Sequence, residues 1–210
     1  MRSRALAALA ATSVVVVALL PLAAQGSFGG SGKPLSLAGR VMRVGEFPGF
    51  VPKQRPSALT DVAAWNKVAP SGGVDVRARL TREGFIAGVR EDLTWTKGND
   101  RGALSAAVRL GSAKAARAEI AHQLRDFAAE PGKRGVLTYR RFAVPGIPGA
   151  FGFTKTAKDG AGHNIIWADG PFTYHVGVGW GAQVTDKPTQ AQLIAAARTL
   201  YLRVHGRAAP

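Results

Sequence analysis

The sequence predicts an α+β fold: an antiparallel sheet with helices packed on one face. Three features of the chain lead there. Several segments alternate apolar and polar residues, short turns separate them, and Ala-rich stretches place apolar residues three and four apart.

Taken in order, Ser57 is positioned to cap a short helix over residues 58–68, with Leu59, Val62, Ala63 and Asn66 along one side. Pro70-Ser71-Gly72-Gly73 then breaks the chain. Residues 74–80 alternate strictly. Val74, Val76, Ala78 and Leu80 point one way and Asp75, Arg77 and Arg79 the other, the pattern of a half-buried strand. Residues 85–95 alternate too. Phe85, Ala87, Val89, Leu93 and Trp95 share a face, and Glu91 sits among them. A polar turn over 97–102 leads to a strand over 103–110 and closes a hairpin. Ser112 caps a helix running to about residue 129, with Ala116, Ile120, Leu124 and Phe127 on one stripe, and Pro131-Gly132 stops it.

The second half repeats this order. Strands are expected over 135–144, 150–157, 163–168 and 173–180, joined by Asp159-Gly160 and by the turn 169–172. Thr189 and Gln192 form a capping box, and Leu193, Ala196, Ala197, Leu200, Tyr201 and Val204 make one apolar stripe, with Arg198 and Arg203 expected in solvent. Both halves end as a hairpin followed by a capped Ala-rich helix, which suggests duplication of a hairpin–helix unit.

Between the strands expected over 135–144 and 150–157 lies Val144-Pro145-Gly146-Ile147-Pro148-Gly149-Ala150-Phe151-Gly152-Phe153. A phosphate cradle needs a helix N-terminus and the Gly-x-Gly-x-x-Gly or Gly-Lys-Ser/Thr spacing. Here the glycines fall three apart between strand-like flanks, and the two prolines remove backbone donors. Pro-Gly suits a type II turn, so the stretch reads as a double turn feeding a strand.

The N-terminus reads as a secretory signal peptide over residues 1–26: Arg2 and Arg4, an uncharged run of Ala, Val and Leu, then small residues around Gln25. Cleavage is expected after Gly26, with Ala24 as the competing site. The other reading is an uncleaved anchor, since about twenty apolar residues can span a bilayer. No Cys follows the run, which excludes a lipid-anchored lipoprotein. Residues 27–43 read as a flexible Gly/Ser-rich tether, 44–206 as one globular domain whose first residues are an irregular Pro-rich lead-in, and 207–210 as a tail. A chain without cysteine forms no disulfide, and export without disulfides fits a bacterial protein.

Charge is the strongest bulk signal. Without the two signal-peptide arginines the chain carries 26 Lys plus Arg against 13 Asp plus Glu, a net +13. Such a surface attracts polyanions. Outside the cytoplasm these are acidic envelope polymers or anionic lipid headgroups, with nucleic acid the least available. The candidate anion-binding residues are Arg77, Arg79, Arg82, Lys133 and Arg134. Arg140 and Arg141 are strand neighbours and point to opposite faces.

Catalytic chemistry finds no foothold in the motifs. There is no HExxH and no Cys ligand, so no metal or other cofactor is expected, and there is no Gly-x-Ser-x-Gly elbow. If 169–172 is a hairpin loop, Ala168 pairs with Thr173. His163, Ile165 and Trp167 then share a face with Tyr174, Val176, Val178 and Trp180, while His175 joins Asn164 and Ile166 on the other. The two histidines do not converge. Glu91, Trp167, Tyr174 and Trp180 are the candidate lining of a pocket between sheet and helices. The competing readings are a paired or edge carboxylate and a plain aromatic core.

The segments VPGIPGA before a strand, GFIAGVREDL and AARTLYLRV make residues 44–205 resemble uncharacterised secreted proteins of GC-rich Gram-positive bacteria. The resemblance rests on turn and packing motifs. It implies an envelope protein and transfers no catalytic residue. Together these readings predict an exported non-catalytic protein that binds an anionic envelope component. The alternative is a carrier or sensor domain for a small apolar ligand.

Overall fold

A computed structural model of the chain describes residues 35–69, 75–129, 131–132 and 135–205. The signal peptide, the start of the tether, the breaker at 70–73 and two candidate residues, Lys133 and Arg134, lie outside the described residues. None of the helices described is long and apolar enough to cross a membrane.

After a short 3-10 turn at Leu37–Arg40, the elements are β1 (Phe50–Pro52), β2 (Ala58–Leu59), α1 (Val62–Val68), α2 (Arg77–Arg82), β3 (Ala87–Trp95), β4 (Arg101–Arg109), α3 (Ala113–Ala128), β5 (Val136–Phe142), β6 (Phe151–Ala157), β7 (Gly160–Asp169), β8 (Phe172–Gly181) and α4 (Gln190–Val204). The strands form one antiparallel sheet in the order β1-β3-β4-β8-β7-β6-β5, with β2 also on β3. The topology follows from α3. The β3–β4 hairpin ends in mid-sheet, α3 carries the chain to the far edge, and the meander β5-β6-β7-β8 returns to pair β8 with β4.

The α+β class and the antiparallel pairing are as the alternation and short turns predict. The helices, however, divide between the two faces. On the first face, α4 places Leu193, Ala196, Ala197 and Leu200 in one core with Ile165, Trp167, Val176 and Val178. On the second, Trp65 of α1, Leu80 of α2 and Ala116 of α3 pack with Ala106 and Val108, and Ile120 and Phe127 of α3 pack with Phe153 and Ile166. This corrects the expected single helical layer. It also speaks against duplication of a hairpin–helix unit. A two-fold normal to the sheet between β4 and β8 keeps each face, yet α3 and α4 follow their hairpins onto opposite faces.

Two local readings are overturned near the N-terminus. Asp61, not Ser57, caps α1, accepting from the Ala64 amide at 2.6 Å, and residues 58–59 are a strand instead of the first helical turn. Residues 77–82 form helix α2, not a strand. Over so short a run, Val76 and Leu80 satisfy an i, i+4 helical face as well as an alternating one, and both are buried. Gly84 at φ +72° terminates the turn where a side chain would be strained. Val41 and Met42, at the end of the expected tether, and Phe47 and Phe50 of the Pro-rich lead-in join the first-face core.

The Pro-Gly stretch is a double turn. Gly146 and Gly149 lie at φ +83° and +68°, and the Ala150 amide donates to the Ile147 carbonyl across Pro148-Gly149, as a type II turn requires. Ile147, between the two turns, plugs the core.

Candidate functional site

Three places on this frame bear on function. The first is a small, partly enclosed cavity on the second face, between α1–α3 and the sheet, with room of about 30 Å³ for water-sized occupants. Trp65, Leu80, Val108 and Phe127 supply its apolar walls, and Arg79, Glu119, Gln123, Asp126 and His175 its polar ones. Arg79 reaches inward from α2. Its Nε donates to Glu119 Oε2 at 2.7 Å and its Nη1 to Asp126 Oδ2 at 2.7 Å, pinning α2 to α3. Gln123 Nε2 donates to the other Glu119 oxygen at 2.9 Å.

Glu83 closes the same network at the end of α2. Burial pushes its carboxyl up to about 7, and the neighbouring Glu119 carboxylate adds to the rise. His122 Nε2 lies 3.6 Å from Glu83, while Arg125 donates to its Nδ1 at 2.6 Å. The imidazole is thus held between an acid and a cation and has no bare nitrogen for use as a base. His175 lies on the β8 floor, and its Nε2 is 2.9 Å from Asn164 Oδ1. Burial, with Lys155 and Arg90 nearby, drops it to about 3, so the ring is neutral at ordinary pH.

The second place is the aromatic group of the first face. Trp167 and Tyr174 stack at 4.8 Å with their planes 8° apart, and both are fully buried. Arg40 donates to the Tyr174 hydroxyl at 2.7 Å and lies over the Phe172 ring, which fixes the pair from above. Burial, the largest influence, pushes Tyr174 up to about 12. Trp180 meets His163 edge-on at 4.8 Å. Glu91, on the same face, is buried with no well-formed hydrogen bond to either carboxylate oxygen. Burial raises its pKa, against the pull of the Gln54 and Lys53 backbone amides. The four candidate pocket residues therefore share one sheet face, but Trp167 and Tyr174 touch each other there.

The third place is the surface. The candidate anion-binding arginines of α2 do not act together. Arg77 pairs with Asp75 on the surface at 2.5 Å, Arg79 is committed to the interior network, and Arg82 is exposed. Exposed cations without an acidic partner within 4 Å among the described residues include Arg82, Arg109, Arg117, Arg140, Arg141 and Lys158. The acids are placed otherwise. Glu46, Asp75, Asp92, Glu119, Asp126 and Asp186 each sit against an arginine. Asp61 caps a helix and Glu91 is buried.

An open trough of about 350 Å³ also lies on the second face, beyond the helices, lined by Arg90, Asp92, Asn164 and a glycine floor. Gly102, Gly179 and Gly162 are in register across β4, β8 and β7. His163 and His175 stand on opposite faces, because Ala168 does pair with Thr173. Among the described residues, no cluster of three or more His, Asp or Glu is placed to hold a metal ion.

Sequence reading missed the Arg79–Glu119–Asp126 network. Its members lie 40 and 47 residues apart, and the only signal available was the i, i+4 alternative for Val76 and Leu80.

The architecture defines an antiparallel α+β domain with helices on both faces. Among solved structures it is similar to the extracellular domain of PknH from Mycobacterium tuberculosis, with a TM-score of 0.53 and 16% sequence identity over 83% of this chain and 99% of that domain. At that identity the likeness is one of fold. No family model matches the sequence, and neither does any curated protein.

Proposed function

We propose that this chain is an exported, non-catalytic protein that binds an anionic component of the cell envelope, an acidic polymer or lipid headgroups. The observation that carries the reading is the asymmetry of ion pairing. Most described carboxylates sit against an arginine or cap a helix, Glu91 and Asp159 aside, whereas many exposed arginines and lysines have no acidic partner among the described residues. The net charge of +13 beyond the signal peptide is therefore displayed, not neutralised in place. The similar solved structure is an extracellular domain from a mycobacterium, within the GC-rich Gram-positive group that the sequence resembles. Export comes from the basic, then apolar, then small-residue N-terminus. The test is cosedimentation of the purified protein with cell walls and with anionic vesicles. Retention in the supernatant at low salt with both would remove the reading.

A second reading is a carrier or sensor domain for a small apolar ligand held between sheet and helices; the partly enclosed cavity under α1–α3 offers about 30 Å³ there, enough only for a very small one. That cavity lies across the sheet from the side chains of Trp167 and Trp180. Native mass spectrometry of protein from its own host tests it, since a bound ligand adds its mass and an unliganded mass counts against it.

A further inference from the structure

The cavity under α1–α3 has an uneven hydrogen-bonding wall. Each donor nitrogen of its charged and amide groups already makes a bond: Arg79 Nε, Nη1 and Nη2 to Glu119 or Asp126, and Gln123 Nε2 to Glu119. His175 Nε2 faces Asn164 Oδ1, which only accepts, so Nε2 carries the ring proton and Nδ1 is a bare lone pair. Two acceptors remain without a partner, His175 Nδ1 and Gln123 Oε1. Both residues line the cavity, and His175 is only 6% exposed. Leaving either acceptor bare and out of reach of water opposes folding.

We propose that this cavity is a built site for a small neutral O–H donor, filled in the resting protein by one or two water molecules that donate to His175 Nδ1 and Gln123 Oε1. A volume of about 30 Å³ admits this occupant and little more, since one water needs roughly 10–15 Å³. A donor fits because those wall nitrogens each make a bond already whereas the two acceptors make none, and the Thr173 hydroxyl, which also lines the space, can donate or accept. A neutral donor fits better than a cation because the Glu119 and Asp126 carboxylates on the same wall are already paired with Arg79, and Lys155 and Arg90 already disfavour charge on His175. The water completes a chain through the sheet face. It donates to His175, and His175 donates to Asn164, which also lines the open trough. One histidine thus joins a partly enclosed site to an open one.

The inference rests on the second reading's cavity, yet the two fail differently. Crystals of the purified protein are examined at high resolution, with and without xenon gas. The expected result is a water peak between Nδ1 and Oε1 and no xenon, because xenon enters dry apolar cavities. Gln123→Leu, at a half-exposed helical position, and His175→Leu should each lose the water peak and admit xenon. Xenon in the wild-type cavity with no water peak overturns the inference and leaves a purely apolar ligand standing. An unchanged water peak in Gln123→Leu also overturns it, and this variant decides the matter if His175→Leu does not fold.

Discussion

Arg203, near the end of α4, closes a two-pronged fork on Glu46, 157 residues earlier, with Nε to Oε1 at 2.5 Å and Nη2 to Oε2 at 3.0 Å. The same guanidinium donates to the carbonyls of Gly39 and Val41. Expected in solvent, Arg203 instead staples the lead-in over the first-face core. Removing it leaves a mostly buried carboxylate with only the Arg43 amide donating to it and two carbonyls without this donor, so Arg203→Ala should cost about 3 kcal/mol. Arg198, exposed one turn earlier, should cost within about 0.5 kcal/mol as Arg198→Ala. Denaturant melts of the two variants check the contrast.

Leu200→Ala removes a side chain with no exposed surface from the seam between α4 and the sheet. A loss of about 2–5 kcal/mol is expected. A midpoint unchanged from wild type would mean that α4 does not seal the core.

The α2–α3 network gives stability a definite pH dependence. Glu83 is raised from 4.5 to about 7 in the folded chain. Between those values the folded state holds a proton that the unfolded state has released, so this group's contribution is full below pH 4.5 and lost as pH rises through 7. His175 acts oppositely. Its pKa falls from 6.5 to about 3, so stability present above 6.5 is lost as pH drops toward 3. Urea midpoints measured from pH 4 to 8 should fall less steeply across pH 5–7 in Glu83→Gln than in wild type. Parallel curves would show that Glu83 does not carry the proton.

Glu91 is a buried carboxyl on a core face without a well-formed hydrogen bond. Its raised pKa means that ionisation opposes folding at neutral pH. Glu91→Gln should raise the urea midpoint at pH 8 and change it little at pH 4. A lower midpoint at pH 8 would show that the carboxylate is paired in solution.

Glycines separate packing from freedom. A Cβ on Gly88 would come within 2.4 Å of the Trp65 ring, and one on Gly102 would meet nothing within 4 Å. Gly88→Ala should therefore lower the melting temperature by several degrees, as overpacking of about 1–3 kcal/mol does in a domain this size. Gly102→Ala should leave it unchanged or slightly raised.

What the sequence made legible was local. The Thr189–Gln192 capping box forms as read, with the Thr189 amide donating to Gln192 Oε1 at 2.7 Å. The β7–β8 register follows from turn length alone, and it sorts His163 from His175 correctly. The illegible parts depend on distant chain. Nothing within residues 74–80 says that Arg79 will meet Glu119 and Asp126, and without that meeting a helix and a strand fit equally well. The face chosen by each helix also escapes periodicity, which places a stripe but names no partner for it. For the candidate sites, sequence supplied the total charge but not which cations stay unpaired. It also flagged Glu91 as an anomaly, and the structure shows that carboxyl buried on the first face.

The central claim is that unpaired surface cations hold an anionic envelope component. Its most direct test is the salt dependence of binding to purified cell wall, for wild type and for Arg140→Ser/Arg141→Ser, which removes two exposed cations without an acidic partner among the described residues. The account predicts binding at low ionic strength that weakens steeply as salt passes about 0.1 M, where screening sets in at roughly 10 Å. It also predicts a shallower salt slope for the double variant. Binding that is indifferent to salt, or equal in both proteins at every salt concentration, would contradict it.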